Sequence, residues 1–254
     1  MFKLSNIAVA ACALAATAMP AKAADIVPYE PVPIPPAVLG GWYLRGDIGY
    51  SNQEVDELYN VLYEEYDSVE NVHKEFTGAP FIAGGIGYKI NNWFRVDATG
   101  EYRSKSEFNG ADIAELAGFL SPDVYTAKKS EYVALVNGYV DLGSWHGISP
   151  FIGAGVGAAN VEISAFTDTG EAFGSVAFGE EHDEWNLAWA LYAGLGMDVT
   201  DNFTVELAYR YLDMGDGESG NLIAFDGTDN FDNPMEFRDI TSHDVKLGFR
   251  YQFN

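Results

Sequence analysis

Hydrolytic chemistry would need a histidine within reach of a nucleophile, and the chain offers four histidines. His73 and His182 lie in acidic stretches and His146 in a short turn. His243 follows Ser242, but adjacent residues of a strand point to opposite faces, so the two cannot act directly as base and nucleophile. The glycine runs Gly84-Gly85-Ile86-Gly87 and Gly153-Ala154-Gly155-Val156-Gly157 have the composition of a phosphate loop without its context. Such a loop needs a strand, a glycine turn and a helix whose N-terminus meets the anion. Here the glycines sit inside extended segments, and Gly85, Gly87, Gly153, Gly155 and Gly157 share one face, where missing side chains leave room for Arg and Tyr. Two carboxylate sets, Asp213, Asp216 and Glu218, and Asp226, Asp229 and Asp232, offer hard oxygens for calcium, but neither has EF-hand spacing. They read as solvated anionic surface that attracts divalent cations loosely. No catalytic residue, structural metal or cofactor is expected.

The charges that do repeat follow a period of two. In His243–Asn254, Val245, Leu247, Phe249, Tyr251 and Phe253 point one way, and Asp244, Lys246, Gly248, Arg250 and Gln252 the other. The same code over the whole chain puts Arg45, Asp47, Lys89, Arg95, Asp97, Glu101, Arg103, Asp141, Asp198, Glu206, Arg210, Asp244, Lys246 and Arg250 on one face. That face holds seven bases against seven acids. Such balance suits a dry, narrow interior, because an unpaired buried charge costs several kcal/mol. The opposite face is apolar, with Trp42, Leu44, Ile48, Ile82, Val96, Val136, Val156, Leu187, Leu191 and Leu207 among its members. Apolar outside and polar inside is the pattern of a transmembrane barrel. A lumen of this kind is either a selective pore or a structural ion-pair plug. Eight strands enclose a space that side chains just fill, which favours the plug.

Eight period-two segments carry this code: 41–50, 80–90, 93–104, 129–142, 149–162, 184–199, 203–213 and 240–254. Asn91-Asn92, Gly143 to Ile148 and Thr200 to Asn202 are short turns, whereas 51–79, 105–128, 163–183 and 214–239 are long. Short turns on one rim and long loops on the other predict an all-β fold, an eight-stranded antiparallel transmembrane β-barrel with long extracellular loops. Trp42, Phe94, Phe203 and Phe253 fall towards the short-turn rim, and Tyr50, Tyr102, Tyr132, Trp185 and Tyr211 towards the loop rim, as two aromatic girdles. The loops are acidic: loop one has eight acids against Lys74, and loop four has seven against Arg238. Val55, Leu58, Leu62, Val69 and Val72 at near-heptad spacing predict a short amphipathic helix over the barrel mouth, and Asp112 to Leu120 a second helix after an Asp cap. A lipocalin is the soluble alternative with eight strands. Its interior is apolar, and it leaves the aromatic bands without a reason.

The N-terminus reads as an export signal, residues 1–23: Lys3 supplies the positive region, Ile7 to Ala18 an apolar stretch, and Ala21-Lys22-Ala23 a small-x-small cleavage site. That stretch is shorter than the about 20 residues a spanning helix needs, as is every later apolar segment, so a helical membrane protein is excluded. The sole cysteine, Cys12, lies in the signal. Val9-Ala10-Ala11-Cys12 loosely resembles a lipoprotein box, but cutting there would leave a very short apolar region. The mature chain then has no disulfide, thiolate metal site or cysteine nucleophile. Residues 24–40, with Pro28, Pro31, Pro33, Pro35 and Pro36, form an extended Pro-rich periplasmic lead, and 41–254 the barrel. The mature chain would carry 12 Lys and Arg against 38 Asp and Glu, a formal net charge of −26. This excludes nucleic acid reached through a basic patch.

The signal, the Pro-rich lead, Gly41-Trp-Tyr-Leu-Arg-Gly-Asp-Ile-Gly49, Pro150-Phe-Ile-Gly-Ala-Gly-Val-Gly157 and Phe249-Arg-Tyr-Gln-Phe253 together resemble the small outer-membrane β-barrel family of OmpA-type membrane domains, opacity proteins and related surface antigens of the Gram-negative envelope. The resemblance covers nearly all of the mature chain. It implies that the terminal strand, here Leu247, Phe249, Tyr251 and Phe253, is read by the barrel-assembly machinery, with Asn254 after the aromatic that usually ends the chain. It also implies a monomer among outer-membrane lipid and lipopolysaccharide, with both termini periplasmic. The implied role is envelope structure and surface or host interaction, including adhesion. A narrow porin-like channel and an outer-membrane lipid-modifying enzyme are the alternatives.

Overall fold

A computed structural model gives the fold, described for residues 40–171, 174–228 and 233–253. The export signal, almost all of the Pro-rich lead and Asn254 lie outside the described residues. Twelve strands follow one another: β1 (Gly41–Tyr59), β2 (Ser68–Phe76), β3 (Ala79–Lys89), β4 (Phe94–Leu116), β5 (Phe119–Asp141), β6 (Ile148–Gly170), β7 (Ser175–Gly179), β8 (His182–Asp198), β9 (Phe203–Asp213), β10 (Gly217–Glu218), β11 (Leu222–Ala224) and β12 (Glu236–Gln252). Eight of them close a ring in the order β1-β3-β4-β5-β6-β8-β9-β12, with β12 returning to β1 and every pair antiparallel. Closure leaves no unpaired edge, the condition for a sheet to sit in hydrocarbon. The other four are accessory: β2 lies on β4, β7 on β6, β11 on β7 and β10 on β12.

Alternation along each strand fixes which side chains the ring encloses. Tyr43, Arg45 and Asp47 on β1 are buried while Trp42, Leu44 and Ile48 between them are exposed. One register row, Tyr102 with Tyr132, Tyr132 with Asn160 and Asn160 with Trp185, carries an aromatic belt around part of the wall. Trp185 is 65 % exposed, and the Tyr102 and Tyr132 rings stand 5.1 Å apart. Inside, the ring is tight enough to require glycine at particular points. A Cβ on Gly87 would strike the Tyr43 ring, and one on Gly153 the Tyr139 ring.

The largest departure from the sequence reading lies beyond this belt. Residues expected as loops continue as strand. β4 and β5 each run 23 residues and meet at the two-residue turn Ala117-Gly118, where φ is +51° and +82°. β6 also runs 23 residues and β1 19. The two expected loop helices do not form. Val55 and Leu58 belong to the end of β1, Val69 and Val72 to β2, and only one 3-10 turn, Val61–Glu65, lies between them, with Asn60 Oδ1 accepting from Leu62 N at 2.9 Å. The near-heptad spacing arose from two strand ends joined in sequence, and the ladder of β2 with β4 claims the backbone groups a helix would need. Asp112 does not cap a helix. It lies on β4, directly across from Asp123 on β5.

The polarity code inverts along these extensions. Between the short turns and the aromatic belt, the wall is apolar outside and charged inside. Past the belt, Glu107, Asn109, Thr126 and Lys128 face out, while Phe76, Phe108, Phe166 and Phe237 pack inward with Leu58, Ile163, Leu212 and Ile240. Phe108 and Phe237 lie 5.0 Å apart edge to face, and Phe76 and Phe108 4.9 Å apart. One tube with two opposite codes crosses from one solvent into another: hydrocarbon around the first half, water around the second. On β5 the switch keeps parity, since Tyr125 and Ala127 point inward in step with Lys129 and Glu131; on β4 the inward set moves from odd to even positions. A bulge between Arg103 and Ser106 supplies that shift on β4, and another between Thr126 and Lys128 affects the β5–β6 pairing.

Candidate functional site

The interior towards the short turns is an ion-pair network built on Arg45, whose guanidinium, carried by β1, reaches across the lumen to side chains of β4, β5 and β9. Arg45 Nη2 lies 2.9 Å from Asp47 Oδ1, Nη1 lies 2.7 Å from Asp97 Oδ2 and donates to the Tyr139 hydroxyl at 2.9 Å. Tyr43 donates to Asp97 at 3.0 Å, and Asn137 Nδ2 donates to its other oxygen at 2.8 Å. Glu206 gathers Arg95 at 3.1 Å, Arg250 at 3.2 Å and Arg45 at 3.6 Å, while Lys246 reaches Asp47 at 3.4 Å. Arg95 lies over the Tyr139 and Phe151 rings at 4.3 and 4.7 Å, and its Nε donates to Asp141 at 3.1 Å. Arg95 Nη2 is off the hydrogen-bonding line to Glu206, so this contact is an ion pair without a hydrogen bond.

A second cluster sits nearer the aromatic belt. Arg210 clasps Glu101 through both terminal nitrogens, at 2.8 and 2.7 Å, and its Nε donates to Asp244 at 2.8 Å. Arg103 donates to Glu101 at 2.9 Å, to both oxygens of Asp244 at 3.1 and 2.9 Å, and to Ser242 and Ser51. Every position expected to form the lumen network, Arg45, Asp47, Arg95, Asp97, Glu101, Arg103, Glu206, Arg210, Asp244, Lys246 and Arg250, therefore joins one of these two clusters. Lys129 and Glu131, an ion pair fully buried beside Arg103, were missed. Their signal was available: they continue the inward parity of Val133, Leu135 and Asn137 on β5. Lys89 and Asp198, with Asp141 where it meets Arg95, line a vestibule of about 280 Å³ at the short-turn end together with Glu206 and Arg250. Above the charges, the phenylalanine core closes the tube again.

Among the described residues no histidine hydrogen-bonds to another histidine or to a serine hydroxyl. His73 is 3.7 Å from Glu75, His182 is 3.0 Å from Glu218, and His243 meets the Tyr209 hydroxyl. Of the carboxylates weighed for calcium, Asp213 accepts from Gly215 N at 3.1 Å and Asp226 from Thr228 N at 2.9 Å within local turns, Asp216 accepts from Asp239 N at 2.8 Å, and Glu218 meets His182. Asp229 and Asp232 lie outside the described residues. Leu247, Phe249 and Tyr251 share the outer face of β12 and are exposed, as is Phe253 just after the strand.

At the far end of the extensions the interior turns acidic. Tyr63 and Tyr125 both donate to Asp112 Oδ2, the latter at 2.8 Å, and Asp112 Oδ1 is buried without a partner. Asp123 faces Asp112 across the ladder, and Asp168 follows on β6, across from Tyr125. Burial raises the Asp112 carboxyl above its ordinary range. Burial, then repulsion from the neighbouring aspartates, pushes Asp123 up to about 6 and Asp168 to about 7.

The family model of the outer membrane protein beta-barrel domain matches residues 8–253. An uncharacterized protein of Brucella abortus is 31 % identical over 97 % of this chain and 98 % of its own. A Rickettsia rickettsii protein, named provisionally as an adhesin, is 30 % identical over 83 % of this chain and 87 % of its own. Among solved structures, Neisserial surface protein A matches 84 % of this chain and 97 % of its own at 13 % identity and TM-score 0.45. OprG of Pseudomonas aeruginosa matches 85 % and 97 % at 14 % identity and TM-score 0.45.

Proposed function

The chain belongs to the outer membrane protein beta-barrel domain family, and we propose that it is a closed, non-catalytic display barrel of the outer membrane. Its termini and short turns face the periplasm, and its extended end stands outside the cell, where it makes adhesive contacts. The observation that carries this reading is the inversion of polarity past the Tyr102–Tyr132–Trp185 belt. A wall that merely spans the membrane would stop there. This one continues for thirteen residues along β5, from Tyr132 to Phe119, roughly 40 Å of strand at about 3.3 Å per residue, with its own phenylalanine core. Such a core holds a surface rigidly in water, and a rigid surface loses little entropy when it binds. The sealed interior supports display rather than transport, and the histidines, none bonded to a serine hydroxyl among the described residues, support a binding role over hydrolysis. The relative named provisionally as an adhesin points the same way.

The test is adherence. A non-adherent Gram-negative host carrying the chain should bind immobilised extracellular-matrix proteins or epithelial cells more than the same host carrying an empty vector. Brief protease treatment of intact cells, which trims the extended end, should remove the gain. No gain from a barrel shown to be folded and surface-labelled would contradict the adhesive role.

A further inference from the structure

The tip of the β4–β5 hairpin carries a groove of about 650 Å³. Leu116, Phe119 and Leu120 form its apolar lip, and Tyr66, Asp123 and Asp168 line it lower down. Phe119 is 79 % exposed and Leu120 63 % exposed, more than ten residues past the aromatic belt, so hydrocarbon does not cover them. The ladder pairs Leu116 with Phe119 and Glu115 with Leu120, which fixes their presentation. Large apolar side chains held rigidly in water mark a contact surface.

The polar part of the groove is one-sided. Asp123 and Asp168 make no ion pair and no side-chain hydrogen bond among the described residues. The titratable groups that face them are Asp112, from β4, and Tyr63, Tyr66 and Tyr125, with Ser121 and Ser175 also lining the groove, and none of them is a base. In the lumen, by contrast, Asp47, Asp97, Glu101, Glu206 and Asp244 each face Arg or Lys. Two half-buried carboxylates beside an apolar lip are the complement of a cation flanked by apolar groups. The excess of acid over the whole chain would steer such a partner in.

We propose that this groove docks a segment of a partner protein in which Lys or Arg stands between aliphatic or aromatic side chains, the base meeting Asp123 and Asp168 and the apolar neighbours covering Phe119 and Leu120. The part played on the cell rests on the reading of the extended end as the outer one; the groove's chemistry does not.

The experiment uses the full barrel in lipid nanodiscs and a fluorescein-labelled peptide, Leu-Phe-Lys-Leu-Arg-Phe, followed by anisotropy. Saturable binding is expected, weakening with salt, and the same peptide with Glu at both basic positions should not bind. Asp123→Asn with Asp168→Asn should weaken binding at least tenfold, and Phe119→Ser with Leu120→Ser by a similar factor. All these side chains are exposed or half-buried, and heat-modifiable mobility on gels checks that each variant is folded. Equal affinity of wild type and both folded variants, or equal binding of the acidic peptide, would overturn the groove. A third arm adds the peptide to intact cells. Binding to nanodiscs but not to cells would leave the groove standing and overturn the orientation. Binding to both without cell adherence would overturn only the adhesive role.

Discussion

Arg103 meets Glu101, Glu131 and Asp244 in a space without water-facing surface. A buried charge pair adds little net stability over an apolar pair of the same shape, because desolvation consumes most of the Coulomb gain, but removing one member strands the other. Arg103→Ala is therefore expected to cost about 3–5 kcal/mol, read as an earlier urea midpoint for the barrel. Arg238→Ala removes partly exposed ion pairs with Glu236 and Glu57 and a contact over the Tyr59 ring, and should shift that midpoint far less than Arg103→Ala does. At the acidic end the sign of the pH dependence is opposite to that of an ordinary paired carboxylate. Asp123 and Asp168 have folded-state values of about 6 and 7, above the ordinary 3.8, so the fold favours their neutral forms. Stability of this end should rise as pH falls through 7 and then 6, with the gain complete below 3.8. Hydrogen exchange in β4 and β5, corrected for its intrinsic pH dependence, should show more protection at pH 5 than at pH 8. Asp123→Asn with Asp168→Asn should flatten that difference, and an unchanged difference would refute the assignment.

At the scale of elements, each strand does two jobs in two solvents. Phe237 sits on β12 among Phe76, Phe108 and Phe166. Phe237→Ala should cost about 3–5 kcal/mol, felt first in the extension: limited proteolysis should cut near Gly118 sooner, while heat-modifiable mobility of the membrane part persists. Equal cleavage rates would mean the extension does not depend on its core. The last strand carries a separate expectation. Removing 251–254 takes the exposed Tyr251 of β12 and Phe253 just after it, and should deplete folded barrel from the outer membrane, whereas removing Asn254 alone should not. The eight ring strands and the lumen charges were legible because lipid imposes an unbroken code. The extensions were not, for a physical reason. Their outer face is as polar as a loop, and the bulge at Ser104 and Lys105 shifts the parity, so alternation read straight through from Arg103 misses Phe108. Lys129 and Glu131 keep the inward parity of β5 and were equally legible, although they stand at the seam where charged lumen gives way to apolar core.

The described residues form a tube closed at two levels, by ion pairs within the membrane band and by phenylalanines beyond it. Its direction across the membrane is open to labelling, because the only cysteine of the sequence, Cys12, falls within the expected export signal. Cysteine introduced at Gly118 should react with an impermeant maleimide on intact cells, and cysteine at Asn92 or Asn202 should not; the reverse pattern would turn the barrel over. Closure itself is the central claim, since a display barrel has no use for a conducting path and a channel requires one. Purified full-length barrel in planar bilayers, under applied voltage and molar salt, tests it most directly. The expected record is a flat baseline, with no steady conductance attributable to inserted barrels whose presence is verified by recovery from the membrane. A large, stable, reproducible conductance step per inserted barrel would contradict the account, because ions cannot pass a lumen filled by Arg45, Arg95, Arg103 and Arg210 with their carboxylates in place.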